Sequence, residues 1–295
     1  MMLPIKTVLV VLEAHREGQS AWLQAQAWAQ ALGASLQVLV PVTPDVKDGL
    51  ELAPGLAAMA GENAEAAAGH WLEGLLARAP AGTGKTIVAT THRVETVLHE
   101  TRRLEADLLI VGERDDMPDL RPLMRELPCP LLIIRRAAVS RRFAAAIGAG
   151  AEDAPHQLLN QALLERLVDL AQRFQGDVRV LSALPNPVEL VPLMGDAYAA
   201  SYVANDLEAS YRKNLGEQIA KFGLAAEGVL NVAPGRPDLV IPELVKEGAV
   251  DCLLLGTVAR KGLSAFWLGN TAEDVLPRVD CDVLLLRPQD YETPA

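Results

Sequence analysis

The chain has little cysteine, and this scarcity excludes a disulfide framework. Its three cysteines all lie in apolar, strand-like runs. Small secreted domains use many cysteines as cross-links, whereas cytoplasmic proteins keep their few thiols reduced. We therefore expect a cytoplasmic protein whose thiols are reduced.

The chain also lacks a long apolar run. Half of its residues are hydrophobic, yet no stretch approaches the ~18–20 residues that a membrane-spanning helix needs. Near the N-terminus, the apolar segment Thr7–Leu12 is ended by Glu13, and it has no small-residue cleavage site. This segment is typical of a buried strand rather than of a signal peptide. We predict a soluble protein with no membrane span.

Excess positive charge is missing as well. The formal net charge is −11, which argues against nucleic-acid binding, because that affinity depends on Lys and Arg neutralising phosphates. The one basic cluster consists of Arg135, Arg136, Arg141 and Arg142, and it is typical of a solvated linker. We therefore predict no nucleic-acid partner.

What the chain does have is an internal repeat. Ala106–Gly112 recurs as Val250–Gly256, 144 positions later, and Cys129–Arg135 recurs as Cys281–Arg287, 152 positions later. The second copy therefore carries eight extra residues between the two segments. A chain of 295 residues suits two domains of roughly 100–150 residues each. The repeat places these domains at 1–140 and 141–295.

Each copy alternates short apolar runs with longer amphipathic segments. Unbroken apolar runs predict strands buried on both faces, and helical connections between them predict an α/β fold with a doubly wound parallel sheet. The predicted strands are Thr7–Leu12, Ser35–Val40, Thr86–Thr90, Leu108–Val111, Leu131–Arg135, Phe143–Ile147, Val178–Leu181, Gly228–Val232, Cys252–Leu255 and Val283–Arg287. The predicted helices are Ser20–Leu32, Ala57–Ala77, Val94–Leu104, Leu120–Leu127, His156–Phe174, Ala197–Phe222, Leu239–Glu247 and Thr271–Val279. In such sheets ligands bind beyond the carboxyl ends of strands, where the strand order reverses.

The extra residues fall in a glycine-bearing loop after the fourth strand of the second copy. Glycines permit tight turns with backbone close to a ligand, and the N–H groups at the start of the next helix suit a phosphate. The residues that we expect at the phosphates are Gly256, Thr257, Arg260, Gly262, Gly269, Asn270 and Thr271. The alternative needs no ligand, because Asn270 would cap the helix and Glu273 would close a capping box.

This loop resembles the signature loop of the universal stress protein family. Many members bind ATP through a loop of the form Gly, two residues, Gly, nine residues, Gly, then Ser or Thr. The first and third glycines match Gly256 and Gly269, whereas Ala259 and Asn270 stand at the other two positions. The resemblance covers both copies and points to tandem, two-domain bacterial members. It implies a Rossmann-like fold in each domain and pairing of the domains across a pseudo-twofold interface, and it allows a homodimer.

The resemblance assigns two further positions to the nucleotide. ATP-binding members usually carry an Asp at the end of strand one, where this chain has Glu13 in the first copy and Gly148 in the second. A loop after strand three brings backbone near the base or ribose, and Gly235 fits that role. The resemblance thus implies ATP or ADP as a small-molecule ligand of the C-terminal domain, and a role in the stress response.

The first copy departs further from the family pattern. Thr91 stands in place of Gly235, and Glu113, Asp115 and Asp116 follow the fourth strand in place of the glycine loop. Carboxylates at that position would repel a phosphate. We predict that the first domain does not bind ATP and has a structural role.

Three other motifs are discounted. Ala79–Thr86 imitates a P-loop, but it follows a predicted helix and precedes a strand, whereas a phosphate loop needs the reverse order. His92, Glu95 and His99 have the spacing of helical metal ligands, but the helix is expected to begin near Arg93, and we predict no metal site. No Gly-x-Ser-x-Gly elbow occurs, and we predict no catalytic residue.

Two rival functions stay open. One is a binding or scaffold protein for a non-nucleotide small molecule or amphiphile, motivated by Gly148, Ala259, Tyr198 and Tyr202. These tyrosines lie in Pro185–Phe222, which either packs as a helix on the sheet or forms a wall of a pocket. The other is weak ATP hydrolysis, which ranks last because no carboxylate is placed to position water. We expect a binding protein rather than an enzyme.

Overall fold

The chain divides into two units. The first unit is Pro4–Val139, and the second is Met1–Leu3 together with Ser140–Ala295. The computed structural model describes residues 3–16, 18–42, 54–112, 120–148, 154–184, 197–257 and 270–287. In both units strands alternate with helices along the chain, so the predicted α/β class is confirmed.

The first unit is built on five parallel strands. Its described elements are β1 (Thr7–Val11), α1 (Ser20–Leu32), β2 (Ser35–Val42), α2 (Pro54–Leu76), β3 (Gly84–Ala89), α3 (Arg93–Arg103), β4 (Leu108–Gly112), α4 (Leu120–Glu126) and β5 (Leu131–Ile134). The strand order is β3-β2-β1-β4-β5. Val8, Leu9 and Val10 of the central strand have no exposed surface. Both faces of the sheet are therefore covered, which explains why the strand sequence is apolar without alternation.

The second unit repeats this architecture. Its described elements are β6 (Arg142–Ala146), α5 (Ala154–Phe174), β7 (Asp177–Leu184), α6 (Ala197–Ala220), β8 (Leu230–Pro234), α7 (Pro237–Glu247), β9 (Cys252–Gly256), α8 (Asn270–Val275), a 3-10 turn (Leu276–Arg278) and β10 (Asp282–Leu286). The strand order is β10-β9-β6-β7-β8, with all pairs parallel. Phe143, Ala144 and Ala145 of the central strand are fully buried.

In each unit the strand order reverses beside the first strand. The chain runs outward from β1 to β3, or from β6 to β8, and then returns to the other side of the first strand. The carboxyl ends of β1 and β4, and those of β6 and β9, are therefore the places where this topology opens a ligand crevice. Two tandem, doubly wound Rossmann-like sheets were predicted and are confirmed.

A repeated aspartate aligns the first and fourth strands of each unit. Asp107, just before β4, accepts hydrogen bonds from the backbone N–H groups of Lys6 and Thr7 at 2.8 and 2.9 Å. Asp251, just before β9, accepts them from Arg141 and Arg142 at 3.2 and 3.0 Å. The repeat of this residue in the sequence thus has a structural cause in both units.

Asp251 has a further partner in the Arg142 side chain. The guanidinium donates to both carboxylate oxygens, at 3.1 and 2.7 Å. Burial acts to raise the pKa of Asp251, but the hydrogen bonds from the Arg142 side chain and from the two backbone N–H groups outweigh burial. The pKa therefore lies below its ordinary value.

Some helix boundaries differ from the predicted ones. The helix predicted from Leu239 begins at Pro237, because proline is well suited to the first helical position. The helix predicted over Thr271–Val279 begins one residue earlier, at Asn270. Its α-helical part ends at Val275 and a 3-10 turn containing Pro277 follows, because proline cannot donate within an α-helix. Within the described ranges, no helix is long and apolar enough to cross a bilayer.

Candidate ligand site of the second unit

The carboxyl edge of the second sheet carries several residues that the sequence singles out. Gly148 follows β6, Gly235 follows β8, and Gly256 is the last residue of β9, directly before Thr257. Asn270 and Thr271 begin α8. The remaining predicted site residues lie outside the described residues: Arg260, Gly262 and Gly269. The side chain of Asn270 lies outside them as well.

Gly148 leaves open space at the end of the central strand. Among the described residues, no heavy atom lies within 4 Å of the point where a Cβ on Gly148 would stand. The residue is exposed, and its carbonyl accepts a hydrogen bond of 2.7 Å from Asn160 Nδ2. An added side chain would therefore meet solvent or a ligand rather than the protein core.

Gly235 is required by the backbone of the turn after β8. Its φ of 133° lies in the region that favours glycine, and a Cβ there would come within 2.9 Å of Val240 Cγ2. Its N–H donates to the carbonyl of Leu184 at 2.8 Å. The turn between β8 and α7 therefore requires glycine for its backbone conformation, and the contact of Gly235 with a base or ribose stays a prediction.

Gly256 and Thr257 have roles in packing. A Cβ on Gly256 would overlap the buried side chain of Leu159 on α5, so glycine lets this helix approach β9. Thr257 is buried, and both its N–H and its hydroxyl lie within hydrogen-bond distance of the carbonyl of Leu286, at 2.9 and 3.3 Å. The start of the predicted loop is therefore attached to β10.

Sequence reasoning missed a polar cluster at the same edge. Ser182 Oγ of β7 donates to the carbonyl of Ile147 at 2.6 Å and lies 3.1 Å from the hydroxyl of Tyr211 on α6. That hydroxyl donates to the carbonyl of Ala183 at 3.1 Å. A serine inside an apolar strand and a cluster of tyrosines were the signals that could have found this contact.

The helix that carries Tyr211 packs on the sheet. Leu215 and Ile219, one and two turns further along α6, have no exposed surface. The helix-packing alternative for Pro185–Phe222 therefore holds for the described part of that segment. The side chains of Tyr198 and Tyr202 lie outside the described residues, so a pocket wall for an amphiphile stays a prediction.

In the first unit, ion pairs surround the residue that follows β1. Glu13, which follows β1, lies 2.9 Å from Nη1 of Arg16 and 3.5 Å from Nη1 of Arg93. Gln19 closes the same loop, because its side chain donates to the carbonyls of Glu13 and Arg16 at 2.9 and 3.0 Å. The loop after β1 is thus built around a carboxylate that the unit's own arginines neutralise.

Two of the discounted motifs have the secondary structure that was predicted for them. The P-loop-like segment 79–86 connects α2 to β3, so the predicted helix-to-strand turn is confirmed. His92 precedes α3, which begins at Arg93. Within the part of the chain that the structure describes, no group of three or more His, Cys, Asp or Glu side chains is placed to hold a metal ion.

Comparisons with known proteins agree with this architecture. Residues 157–287 match the model of the universal stress protein family. The chain is 29% identical over 214 residues to the Universal stress protein E homolog of Haemophilus influenzae, covering 68% of this chain and 69% of that protein. It is also 29% identical over 201 residues to Universal stress protein E of Escherichia coli, a match that covers 66% of this chain and 60% of the relative.

A solved structure extends the likeness of fold to almost the whole chain. A protein of unknown function from Pseudomonas aeruginosa PAO1 is 24% identical, with a TM-score of 0.74 over 97% of this chain and 94% of that one. The resemblance drawn from the glycine loop is confirmed by the family match. The second unit therefore matches the universal stress protein family, and about two thirds of the chain resembles two-domain proteins of that family.

Proposed function

We propose that the second unit binds an adenine nucleotide, ATP or ADP, at the carboxyl ends of β6 and β9, and that the first unit does not. The observation that carries this proposal is the contrast at the end of the central strand. Among the described residues, nothing lies within 4 Å of a Cβ built on Gly148, whereas Glu13 lies between two arginines. The reversal of strand order between β6 and β9 supports the same position.

The proposed contacts divide between two turns. Gly235 would lie against the base or ribose. The phosphates would meet Gly256, Arg260, Gly262, Gly269, Asn270 and Thr271. For Thr257 the proposal is limited to positioning the loop backbone, since its N–H and hydroxyl point at the Leu286 carbonyl.

The direct test is calorimetric titration of the full chain with ATP and ADP. Removing the proposed countercharge with Arg260→Ala is expected to weaken ATP binding about tenfold, which is ~1.4 kcal/mol. Arg114→Ala removes the same charge from the shortened loop of the first copy and serves as the matched control. Absence of binding heat for the unaltered chain, or equal losses in both variants, would contradict the proposal.

A variant that is expected to bind ATP more tightly tests whether the nucleotide lies beside Gly148. ATP-binding members of the family usually carry Asp at this position, and the side chain has room here. Gly148→Asp is expected to tighten ATP binding about tenfold, because it supplies the adenosine contact that this chain lacks. Gly148→Ala adds a Cβ without a carboxylate and should leave the Kd unchanged. Equal effects of the two variants would show that the nucleotide lies elsewhere.

Binding without hydrolysis is part of the proposal. Phosphate release by the full chain should stay at the background rate, and release that Arg260→Ala abolishes would establish the rival reading as an ATP hydrolase. The homodimer that the family resemblance allows is a separate prediction, which sedimentation velocity tests.

A stress-response role in a reducing, cytoplasmic compartment completes the proposal. Support for a reducing compartment is that Cys129, Cys252 and Cys281 are buried and form no disulfide. Burial, with the nearby carboxylates and Cys281, raises the pKa of the Cys252 thiol well above its ordinary value, which keeps this thiol protonated and unreactive.

A further inference from the structure

A buried carboxylate joins the turn after β8 to the segment after α8. Asp238, the second residue of α7, is 6% exposed. Its two oxygens accept hydrogen bonds from Nε and Nη2 of Arg236 at 3.0 and 3.1 Å. Arg278 Nη1, from the 3-10 turn, lies 3.2 Å from the same carboxylate. Two guanidinium groups from different elements therefore share one buried negative charge.

The contacts of Arg278 extend this link to α8. The same Nη1 donates to the backbone carbonyl of Asp274 at 2.6 Å, and α7 packs against α8. At its other end, Arg236 follows Gly235 directly along the chain. The network thus runs from the proposed base or ribose contact to the helix whose first residues, Asn270 and Thr271, are proposed phosphate contacts.

We propose that Asp238 is a positioning residue of the nucleotide site: its carboxylate, shared by Arg236 and Arg278, sets the position of α8 relative to the Gly235 turn. This role depends on nucleotide binding by the second unit. Removing the carboxylate charge leaves two guanidinium groups without their common counterion, which favours their separation. Since the two turns would hold different parts of one ligand, a shift between them weakens the phosphate contacts more than the nucleoside contacts.

Asp169 provides a matched control within the same unit. It also lies between two arginines, 3.4 Å from Nη1 of Arg166 and 2.7 Å from Nε of Arg173. All three residues belong to α5, so this carboxylate does not join the turn after β8 to α8. A general effect of losing one arginine-paired carboxylate would appear equally at both sites.

The experiment compares ATP with adenosine in the full chain. Calorimetric Kd values are measured for both ligands, and circular dichroism follows thermal unfolding. Asp238→Asn is expected to weaken ATP binding about tenfold and adenosine binding by less than about twofold. Asp238→Glu should restore part of the ATP affinity, because it keeps the charge. Asp169→Asn should leave the ratio of the two Kd values unchanged.

Each alternative outcome has a separate meaning. If the unaltered chain binds ATP but Asp238→Asn weakens both ligands equally, or if Asp169→Asn gives the same loss, the positioning role is overturned while the proposed function stands. If the unaltered chain binds neither ligand, both proposals fall. If Asp238→Asn does not fold, Arg278→Ala changes a half-exposed side chain of the same network and should give the same selective loss of ATP affinity.

Discussion

The two units share one strand order, but they differ at the carboxyl end of the first strand. After β1, Glu13 lies between Arg16 and Arg93. After β6, Gly148 faces open space among the described residues. The same strand order therefore carries different side chains at the end of its first strand, so the fold alone does not determine which unit would bind a ligand.

A second contrast concerns the glycines that end the fourth strands. A Cβ on Gly112 would lie 3.6 Å from the Cβ of Ala21, which is an ordinary contact. A Cβ on Gly256 would overlap Leu159. The same residue type at equivalent positions is thus optional in one unit and required in the other, because α5 presents a larger side chain to its strand than α1 does.

The largest expected effect is on the free energy of unfolding when each of these two glycines is replaced by alanine. Gly256→Ala should lower the free energy of unfolding by about 1–3 kcal/mol, because the buried Leu159 must move. Gly112→Ala should change it by no more than about 0.5 kcal/mol. Urea unfolding of the full chain, followed by circular dichroism, measures both. Equal losses in the two variants would show that Gly256 is not needed for the close packing of α5 on β9.

The next largest loss of stability is expected at Asp107 and Asp251, the aspartates that precede the fourth strands. At pH 7, Asp251→Asn is expected to cost about 1–2 kcal/mol of unfolding free energy, because hydrogen bonds to a charged group are lost. Asp107→Asn should cost less, since the described residues give Asp107 two backbone donors and no guanidinium.

The pH dependence of stability provides a second test of the contribution of Asp251. Its folded pKa is lowered, so the stability that it contributes is present above the unfolded value of about 3.9 and is lost as the pH falls through the folded pKa. The difference between the original chain and Asp251→Asn should therefore shrink below about pH 4. Urea midpoints measured from pH 7 to pH 3 test this sign, and a difference that grows on acidification would refute it.

The smallest effect is expected at Glu13. Its arginine partners are partly exposed, and such pairs contribute about 0–1 kcal/mol. Glu13→Gln should therefore change stability little. It should also leave the stoichiometry at one nucleotide per chain, because the first copy still lacks the glycine loop. A second nucleotide bound by Glu13→Gln would show that the ion pairs of Glu13 alone prevent binding by the first unit.

Much of the fold could be predicted from local patterns. The run Thr7–Leu12 predicted the central strand, observed as Thr7–Val11, because residues covered on both faces are apolar throughout. The end of α8 could not be placed as well, since Pro277 permits a 3-10 turn where the pattern continued a helix. The spacing of apolar residues indicates which face of an element is covered. It does not show where the backbone hydrogen bonds change from the α-helical to the 3-10 pattern.

The candidate site was predictable only in part. The positions of Gly148, Gly235 and Gly256 at the carboxyl ends of strands followed from the strand assignment. The contact between Ser182 and Tyr211 did not, because it joins a strand to the following helix across a long connection. Whether Arg260, Gly262 and Gly269 meet a phosphate stays a prediction that the titrations test.

The strands and their parallel arrangement in two repeated sheets could be inferred from the sequence alone. The strands follow from local runs of apolar residues, and the second sheet follows from the internal repeat, both of which can be read directly from the chain. The tertiary structure was needed to show that Arg93 lies at Glu13, that Leu159 requires glycine at 256, and that Arg278 reaches Asp238. Such pairings act over a few ångströms between residues far apart in the chain, and no local pattern records them.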